Sequence, residues 1–333
     1  MLRLLECVPN FSEGQRPEVI RAIAAAIREV NDVKLLHLDT GYAANRTVMT
    51  FAGEPEAVSE AAFRAIKTAY EQIDMQVHKG VHPRFGATDV CPLIPISGMT
   101  MDEAVVQARK LARRVGETLD YPVFCYEEAA FFPERRNLAN VRRGEYEGLP
   151  RRLNESDERP DFGPAAFRAR SGATAIGARE FLLAVNFNLN TPEVAPARAI
   201  AGVVRESGRK VRQNGMLRRI PGRCPGTKAI GWYIEDFGIA QVSMNVTRLG
   251  QTPLHEAFRV VNEEAEKRGL RVTGTEIVGL VPLHVMQAAA QAFGLSGRSE
   301  QEQIEGVIRK LGLDELAPFD PAEKILEYAV AGS

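Results

Sequence analysis

One order of elements occurs twice along the chain, and this duplication restricts the fold more than any single motif. Residues 2–8 form a short apolar run that ends in Pro9, Asn10 and Phe11, a strand followed by a turn. Pro17 opens a helix whose apolar residues Val19, Ile20, Ile23, Ile27 and Val30 fall at helical spacing. Residues 33–38 and 47–51 read as strands, and Pro55 opens a second helix with Val58, Ala62, Ile66, Ala69 and Ile73 on one face. A proline-interrupted strand over 90–96 follows, then a helix opened by the capping pair Thr100 and Glu103, then a strand at 122–126. The second half repeats the order: a strand at 181–187 ending in Asn186 and Phe187, a helix over 194–204, strands at 229–234 and 240–246, a helix from Pro253 through Lys267, and a partly broken strand over 271–281. Each half spells β-α-β-β-α-β, a split βαβ sheet with both helices on one face. The other face of each sheet is left uncovered, so stacking sheet on sheet is the natural way to bury it, and such a seam is a common place for a ligand cleft.

Between the halves, residues 135–164 are rich in Arg, Glu and Pro and read as a connector with little core of its own. A tail helix opens at Ser299 and Glu302, with Ile304, Val307, Ile308 and Leu311 on one face. The formal net charge is −1 over 333 residues, a balance that argues against nucleic acid or membrane as a partner. No apolar run reaches the length of a membrane span, and Glu6 comes too early for a secretory signal. Cys7, Cys91, Cys125 and Cys224 are scattered, with none of the clustered thiolates that structural zinc needs. A reduced, cytoplasmic protein is expected.

The run from His78 to Asp89, HKGVHPRFGATD, packs two histidines, two cations, two glycines and a proline into twelve residues without apolar periodicity. Gly80 and Pro83 forbid a continuous helix, and Pro83 pushes His82 toward an extended backbone that fixes where its imidazole points. Imidazole is the side chain best suited to exchange protons near neutrality. Arg84 is placed to hold a carboxylate bidentately. The alternatives are a surface loop whose histidines only cap and hydrogen-bond, or a metal site on His78 and His82 that Asp89 alone would complete. His37, His255 and His284 read as structural.

Asp39, at a strand end before Gly41, Asn45 and Arg46, can orient a histidine or serve only a hairpin. Residues 8–14 read as a ligand turn or a helix entry with Ser12 as its cap. Arg205, Arg209, Lys210, Arg212, Arg218, Arg219, Arg223 and Lys228 stand against the single acid Glu206, either as a solvated cationic loop or as a binding strip for a polyanionic small molecule. Residues 222–228 fail the phosphate-loop pattern on glycine spacing and on the missing Ser or Thr after Lys228.

Several runs together resemble the formiminotransferase domain of formiminotransferase-cyclodeaminase: ECVPNFSEG at 6–14, NRTV at 45–48, HKGVHPR at 78–84, DVCP at 89–92, RGEYE at 143–147, PDFGP at 160–164, IGWY at 230–233, VGLVP at 278–282 and LAPFDP at 316–321. They occur in family order from about residue 3 to residue 330. The resemblance implies an α/β (α+β) fold of two ferredoxin-like βαββαβ subdomains, 1–178 and 179–333, with facing mixed sheets, folate between them, and a homodimer. It implies His82 as the catalytic acid/base. One folate-contacting segment falls on Gly163, Pro164, Ala165, Ala166, Phe167, Arg168, Ala169, Arg170, Ser171 and Gly172. The second falls near 222–231, with Gly222, Arg223, Lys228 and Gly231, beside a local insertion around 215–225 relative to the animal enzymes. The sequence stops at Ser333, so a cyclodeaminase domain is expected to be absent.

The expected reaction is glutamate formimidoyl transfer between N-formimino-L-glutamate and N5 of tetrahydrofolate, in histidine degradation. Tetrahydrofolate is the co-substrate, polyglutamylated, and no metal is expected. Asp39 is expected to orient His82, Arg84 to hold a glutamate carboxylate, and Asn10 and Asn45 to hydrogen-bond the pterin or the reacting group. The cationic strip at 205–228 suits a polyglutamate tail. The alternatives are a 5-formyltetrahydrofolate–glutamate formyltransferase, a non-catalytic folate-binding protein, and a histidine-based metal hydrolase.

Overall fold

The computed structural model describes residues 3–42, 44–80, 83–155, 159–213 and 216–332. The chain divides into two compact units, Met1–Arg179 and Glu180–Ser333.

The first unit opens with β1 (Leu4–Cys7) and β2 (Asn10–Phe11), two pieces of one strand path interrupted at Pro9, which has no N–H to give a ladder. Then come α1 (Pro17–Arg28), β3 (Val33–Gly41), β4 (Arg46–Gly53), α2 (Pro55–Gln72) and β5 (Thr88–Ser97). β3 pairs β4, β4 pairs both β1 and β2, and these pair β5, all antiparallel. The spatial order is therefore the second, third, first and fourth strand of a βαββαβ repeat. α3 (Met101–Leu119) starts at the Thr100–Glu103 capping box, and its return strand β6 (Val123–Glu127) pairs in parallel with β7 (Thr174–Ala178), itself parallel to β5. Val19, Ile23 and Ile27 of α1, Ala62 and Ile66 of α2, and Ala108 and Leu111 of α3 bury one sheet face with Leu5, Phe51 and Leu93.

The polar stretch after β6 is not a bare connector. It forms α4 (Leu138–Val141) and α5 (Glu145–Glu155), and Val141, Leu149 and Leu153 pack with Val90, Phe124, Tyr126 and Ala175 in a second, smaller core. The sheet face opposite α1–α3 is thus covered over β5, β7 and β6, a correction to the uncovered face expected for this half. Ser12 is not the cap of α1 either: its hydroxyl donates to the Gly86 carbonyl at 2.7 Å, and the N-cap position is Arg16, with no side-chain cap bond.

The second unit repeats the plan with β8 (Leu183–Leu189), α6 (Val194–Val204), β9 (Arg209–Gln213), β10 (Met216–Ile220), β11 (Thr227–Ile234), β12 (Ile239–Val246), α7 (Leu254–Glu266) and β13 (Val272–Val278). The sheet order β11-β12-β8-β13 matches that of the first unit, all antiparallel. Asn186 and Phe187 sit on the first strand of this repeat, as Asn10 and Phe11 do on theirs. Gly231 is required by packing: a Cβ there would overlap the Arg198 backbone nitrogen of α6. α8 (Leu283–Ala292) and α9 (Glu300–Leu311), the latter opened by the Ser299–Glu302 capping box, complete the core with Met286, Ala290, Ile304 and Val307. The cationic stretch is not an irregular loop, because β9 and β10 pair into an antiparallel hairpin outside the main sheet. An α+β chain of two βαββαβ units is what the element order predicted.

Candidate functional site

In the first unit, Asn45 joins three segments. It sits in the left-handed region at φ 48°, in the turn before β4, where a short amide side chain is among the best tolerated. Its Oδ1 accepts from the Gly14 N–H at 2.8 Å and its Nδ2 donates to the Lys79 carbonyl at 2.9 Å. Its own carbonyl lies 2.8 Å from His78 Nε2. Gly80 lets the chain pass this turn, since a Cβ there would overlap the Ala44 carbonyl. The entry turn at 10–14, the β3–β4 turn and the 78–80 run are thereby fixed to one another.

Arg84 is the cation at the centre. Its Nη1 lies 3.3 Å from His78 Nδ1 and also donates to the His78 carbonyl. Its Nε and Nη2 meet Glu147 Oε1 at 3.2 and 2.6 Å, and the guanidinium lies 5.1 Å from the Tyr146 ring centroid. Partial burial pushes the Glu147 carboxyl up, but the Arg84 bridge and a backbone N–H outweigh it and hold the group below its ordinary value. Burial likewise lowers the His78 imidazole; the Asn45 carbonyl opposes this and the Arg84 charge reinforces it.

A pocket of about 360 Å³ opens beside this cluster, lined by His78, Lys79, Gly80, Pro83, Arg84, Glu145 and Glu147. A cavity of about 540 Å³ is lined by Tyr70, Glu71, Phe167, Arg168, Ala169, Arg170 and Ser171. Tyr146 links the two: its ring lies 5.5 Å from that of Phe167, and its hydroxyl donates to the Ala169 carbonyl at 2.5 Å. Beneath them, fully buried Asp89 pairs with Arg46 and, at 3.0 Å, with Arg142, whose Nη2 also donates to the Pro83 carbonyl at 2.7 Å. Arg46 in turn donates to Asn10 Oδ1 at 3.1 and 2.8 Å.

Of the residues expected from sequence, His82 lies outside the described residues. His78, Arg84 and Asn45 come together as described, and Asn10 and Asn45 are both engaged by protein partners. Asp39 is exposed on β3 opposite Val48. In the 163–172 segment, Phe167 to Ser171 line the larger cavity, while Gly163 approaches the Tyr121 carbonyl and Gly172 bridges to Gly86. Pro164, Ala165 and Ala166 precede that lining. Arg168 is paired with Asp120, and Arg170 donates to the Glu71 carbonyl at 2.8 Å.

The second expected segment belongs to the other unit. There Lys228 is exposed on β11, Gly222 lies against the Arg205 carbonyl, and Arg223 is bound to Glu263 at 2.6 Å and Glu264 at 2.9 Å. Sequence reasoning missed Tyr146, Glu147 and Arg142, which sit in the stretch read as a connector; the family-like run 143–147 was the only signal for the first two, and Arg142 had none. Among the described residues, no group of three or more His, Cys, Asp or Glu is placed to hold a metal ion.

The family profile described as the formiminotransferase domain, N-terminal subdomain, matches residues 4–179, and that described as the formiminotransferase domain matches 184–331. A formimidoyltransferase-cyclodeaminase from Rattus norvegicus is 46% identical over 338 aligned residues, covering 100% of this chain and 61% of its own length. A glutamate formimidoyltransferase from Streptococcus pyogenes serotype M1 is 40% identical, covering 88% of this chain and 94% of its own. Another glutamate formimidoyltransferase, from Thermoplasma acidophilum, is 38% identical, with 93% and 98% covered. The chain thus spans about three fifths of the length of the animal relatives. With both profiles matched in order over nearly all its residues, the chain belongs to the formiminotransferase family.

Proposed function

We propose that this protein is a glutamate formimidoyltransferase, a folate-dependent one-carbon transferase that moves the formimino group between N-formimino-L-glutamate and N5 of tetrahydrofolate. The observation that carries the reading is the Arg84 pocket and the cavity lined by Phe167–Ser171, joined by Tyr146, which packs against Arg84 on one side and Phe167 on the other. A cationic fork suits the α- or γ-carboxylate of the amino-acid substrate, and an aromatic-walled cavity suits a pterin. The names of the bacterial and archaeal relatives support the same activity.

In the reaction, N5 of tetrahydrofolate attacks the amidine carbon and forms the new C–N bond. The proton on N5 then moves to the glutamate nitrogen. The old C–N bond breaks with its electron pair on that nitrogen, releasing glutamate. His82 is the proton carrier in this reading, protonating the amidine first and shuttling the N5 proton afterwards; an imidazole near its ordinary value of about 6.5 can do both. Asp39 orients it, and Asn10 and Asn45 hydrogen-bond the pterin or the reacting group. The 163–172 segment, with Gly222, Arg223, Lys228 and Gly231, contributes the folate contacts.

Polyglutamylated folate is the expected form of the co-substrate. On the hairpin, Lys210 lies directly opposite Arg219, and Arg212 is on the same face. Like charges so placed repel, and a polyanionic tail relieves that. Affinity for long-tailed folates should therefore fall steeply between low and high salt while that for the monoglutamate changes little; equal salt dependence would remove the hairpin from tail binding. A cytoplasmic location agrees with four free, buried thiols, and the family resemblance supports a homodimer.

The test is turnover with formimino and formyl donors, comparing wild type with His82→Ala. The variant should keep most folate binding and lose turnover by roughly two to four orders of magnitude. Unchanged turnover takes His82 out of the mechanism, and a preference for the formyl donor favours formyl transfer instead.

A further inference from the structure

His78 is buried, and each of its ring nitrogens faces a partner of fixed kind. A carbonyl oxygen can only accept, so Nε2, 2.8 Å from the Asn45 carbonyl oxygen, carries the ring proton. Nδ1 then holds a bare lone pair, and the group it faces at 3.3 Å is Arg84 Nη1, which can only donate. Protonating Nδ1 would oppose two donors and set a second positive charge against Arg84. His78 is therefore built as an acceptor, in contrast to the proton shuttle assigned to His82. Its backbone carbonyl receives the same Nη1, so one residue grips one corner of the guanidinium on two atoms.

The opposite edge, Nε and Nη2, is the edge a carboxylate takes, and Glu147 occupies it at 3.2 and 2.6 Å. The Glu147 side chain is 61% exposed and that of Arg84 only 19%. The inner grip is fixed, and the outer one is a solvent-facing ion pair of the kind that contributes little. A carboxylate arriving from solution can replace it.

We propose that His78 is a positioning residue that holds Arg84 as a carboxylate anchor, and that Glu147 covers the anchor's free edge until a substrate carboxylate displaces it. The class of ligand, an amino dicarboxylate such as glutamate or its N-formimino derivative, rests on the formimidoyl-transfer reading; the displaceable anchor rests on the geometry.

The experiment combines steady-state kinetics with calorimetric binding of L-glutamate on the full chain, for wild type, His78→Ala, His78→Gln and Glu147→Gln. His78→Ala should raise the KM for N-formimino-L-glutamate and the Kd for glutamate roughly tenfold, with kcat and the folate KM changing less than about threefold. His78→Gln, whose amide can donate to Asn45 and accept from Arg84, should recover most of that loss. Glu147→Gln, which removes the competing charge, should tighten both constants by about threefold. Equal losses in both His78 variants that follow a falling Tm would overturn the positioning role, and glutamate affinity unmoved or weakened in Glu147→Gln would overturn the displacement. If His78→Ala does not fold, His78→Gln decides the positioning role, a near-wild-type glutamate Kd supporting it and a lost one overturning it, while Glu147→Gln decides the displacement. A wild-type protein that binds glutamate as described yet transfers no formimino group contradicts the functional reading and leaves the anchor standing, so the two failures are distinct.

Discussion

Two histidines four positions apart in one motif carry different assignments: that of His82 comes from the family resemblance, that of His78 from its neighbours. His78 is wedged between a carbonyl and a guanidinium, which leaves it one protonation state. His255 is also held below the ordinary imidazole value, chiefly by burial. A base with a depressed folded value refuses protons that the unfolded chain accepts, so its stabilising contribution is present above the unfolded pKa of about 6.5 and is lost as pH falls through the folded value. The Tm should therefore decline as pH is lowered from 7 toward 5, and His78→Gln should flatten that decline; a Tm that rises on acidification in this window contradicts it. Arg84 stood out in the sequence because its neighbours are polar and its loop cannot be helical, and in the structure the carboxylate it meets is that of Glu147. Glu147 was not legible, because its partner lies sixty-three positions away and no local pattern records a tertiary ion pair.

Elements announced themselves where local chemistry and burial agree. Both capping boxes, Thr100 with Glu103 and Ser299 with Glu302, start the helices that their spacing implied. Pro17 and Pro55 each stand at a helix start, where the missing N–H costs nothing. Other elements gave no such signal. The outer end of β3, residues 38–40, is exposed and holds its strand form through backbone pairing with β4. β7 is a short run of small residues, and the β9–β10 hairpin carries cations where a strand pattern would show alternation. α5 was hidden by its polarity and by Pro150 inside it, yet Leu149 is fully buried against the sheet. Leu149→Ala should cost about 2–4 kcal/mol of stability and, since Tyr146, which packs on the Arg84 guanidinium, belongs to that helix, should weaken glutamate binding as well. A loss below about 1 kcal/mol would mean that this cover is not a packed core.

The whole chain is one βαββαβ plan written twice, with the same strand order in both units. The repetition could be read because each half alternates helical and strand periodicity in the same sequence. Chemistry, however, is unevenly shared. The first unit holds the His78–Arg84 cluster and the cavity beside it, while the second carries the cationic hairpin. The added segment α4–α5, which the duplication does not predict, supplies the residues that finish the Arg84 pocket. The central claim is that this site transfers a formimino group from glutamate to folate. It is tested most directly by mixing the protein with N-formimino-L-glutamate and tetrahydrofolate and following both products by mass spectrometry. The account predicts one glutamate released for each formimino-folate formed, with no release when folate is omitted. Glutamate release that is independent of folate, or no transfer from the formimino donor, would contradict it.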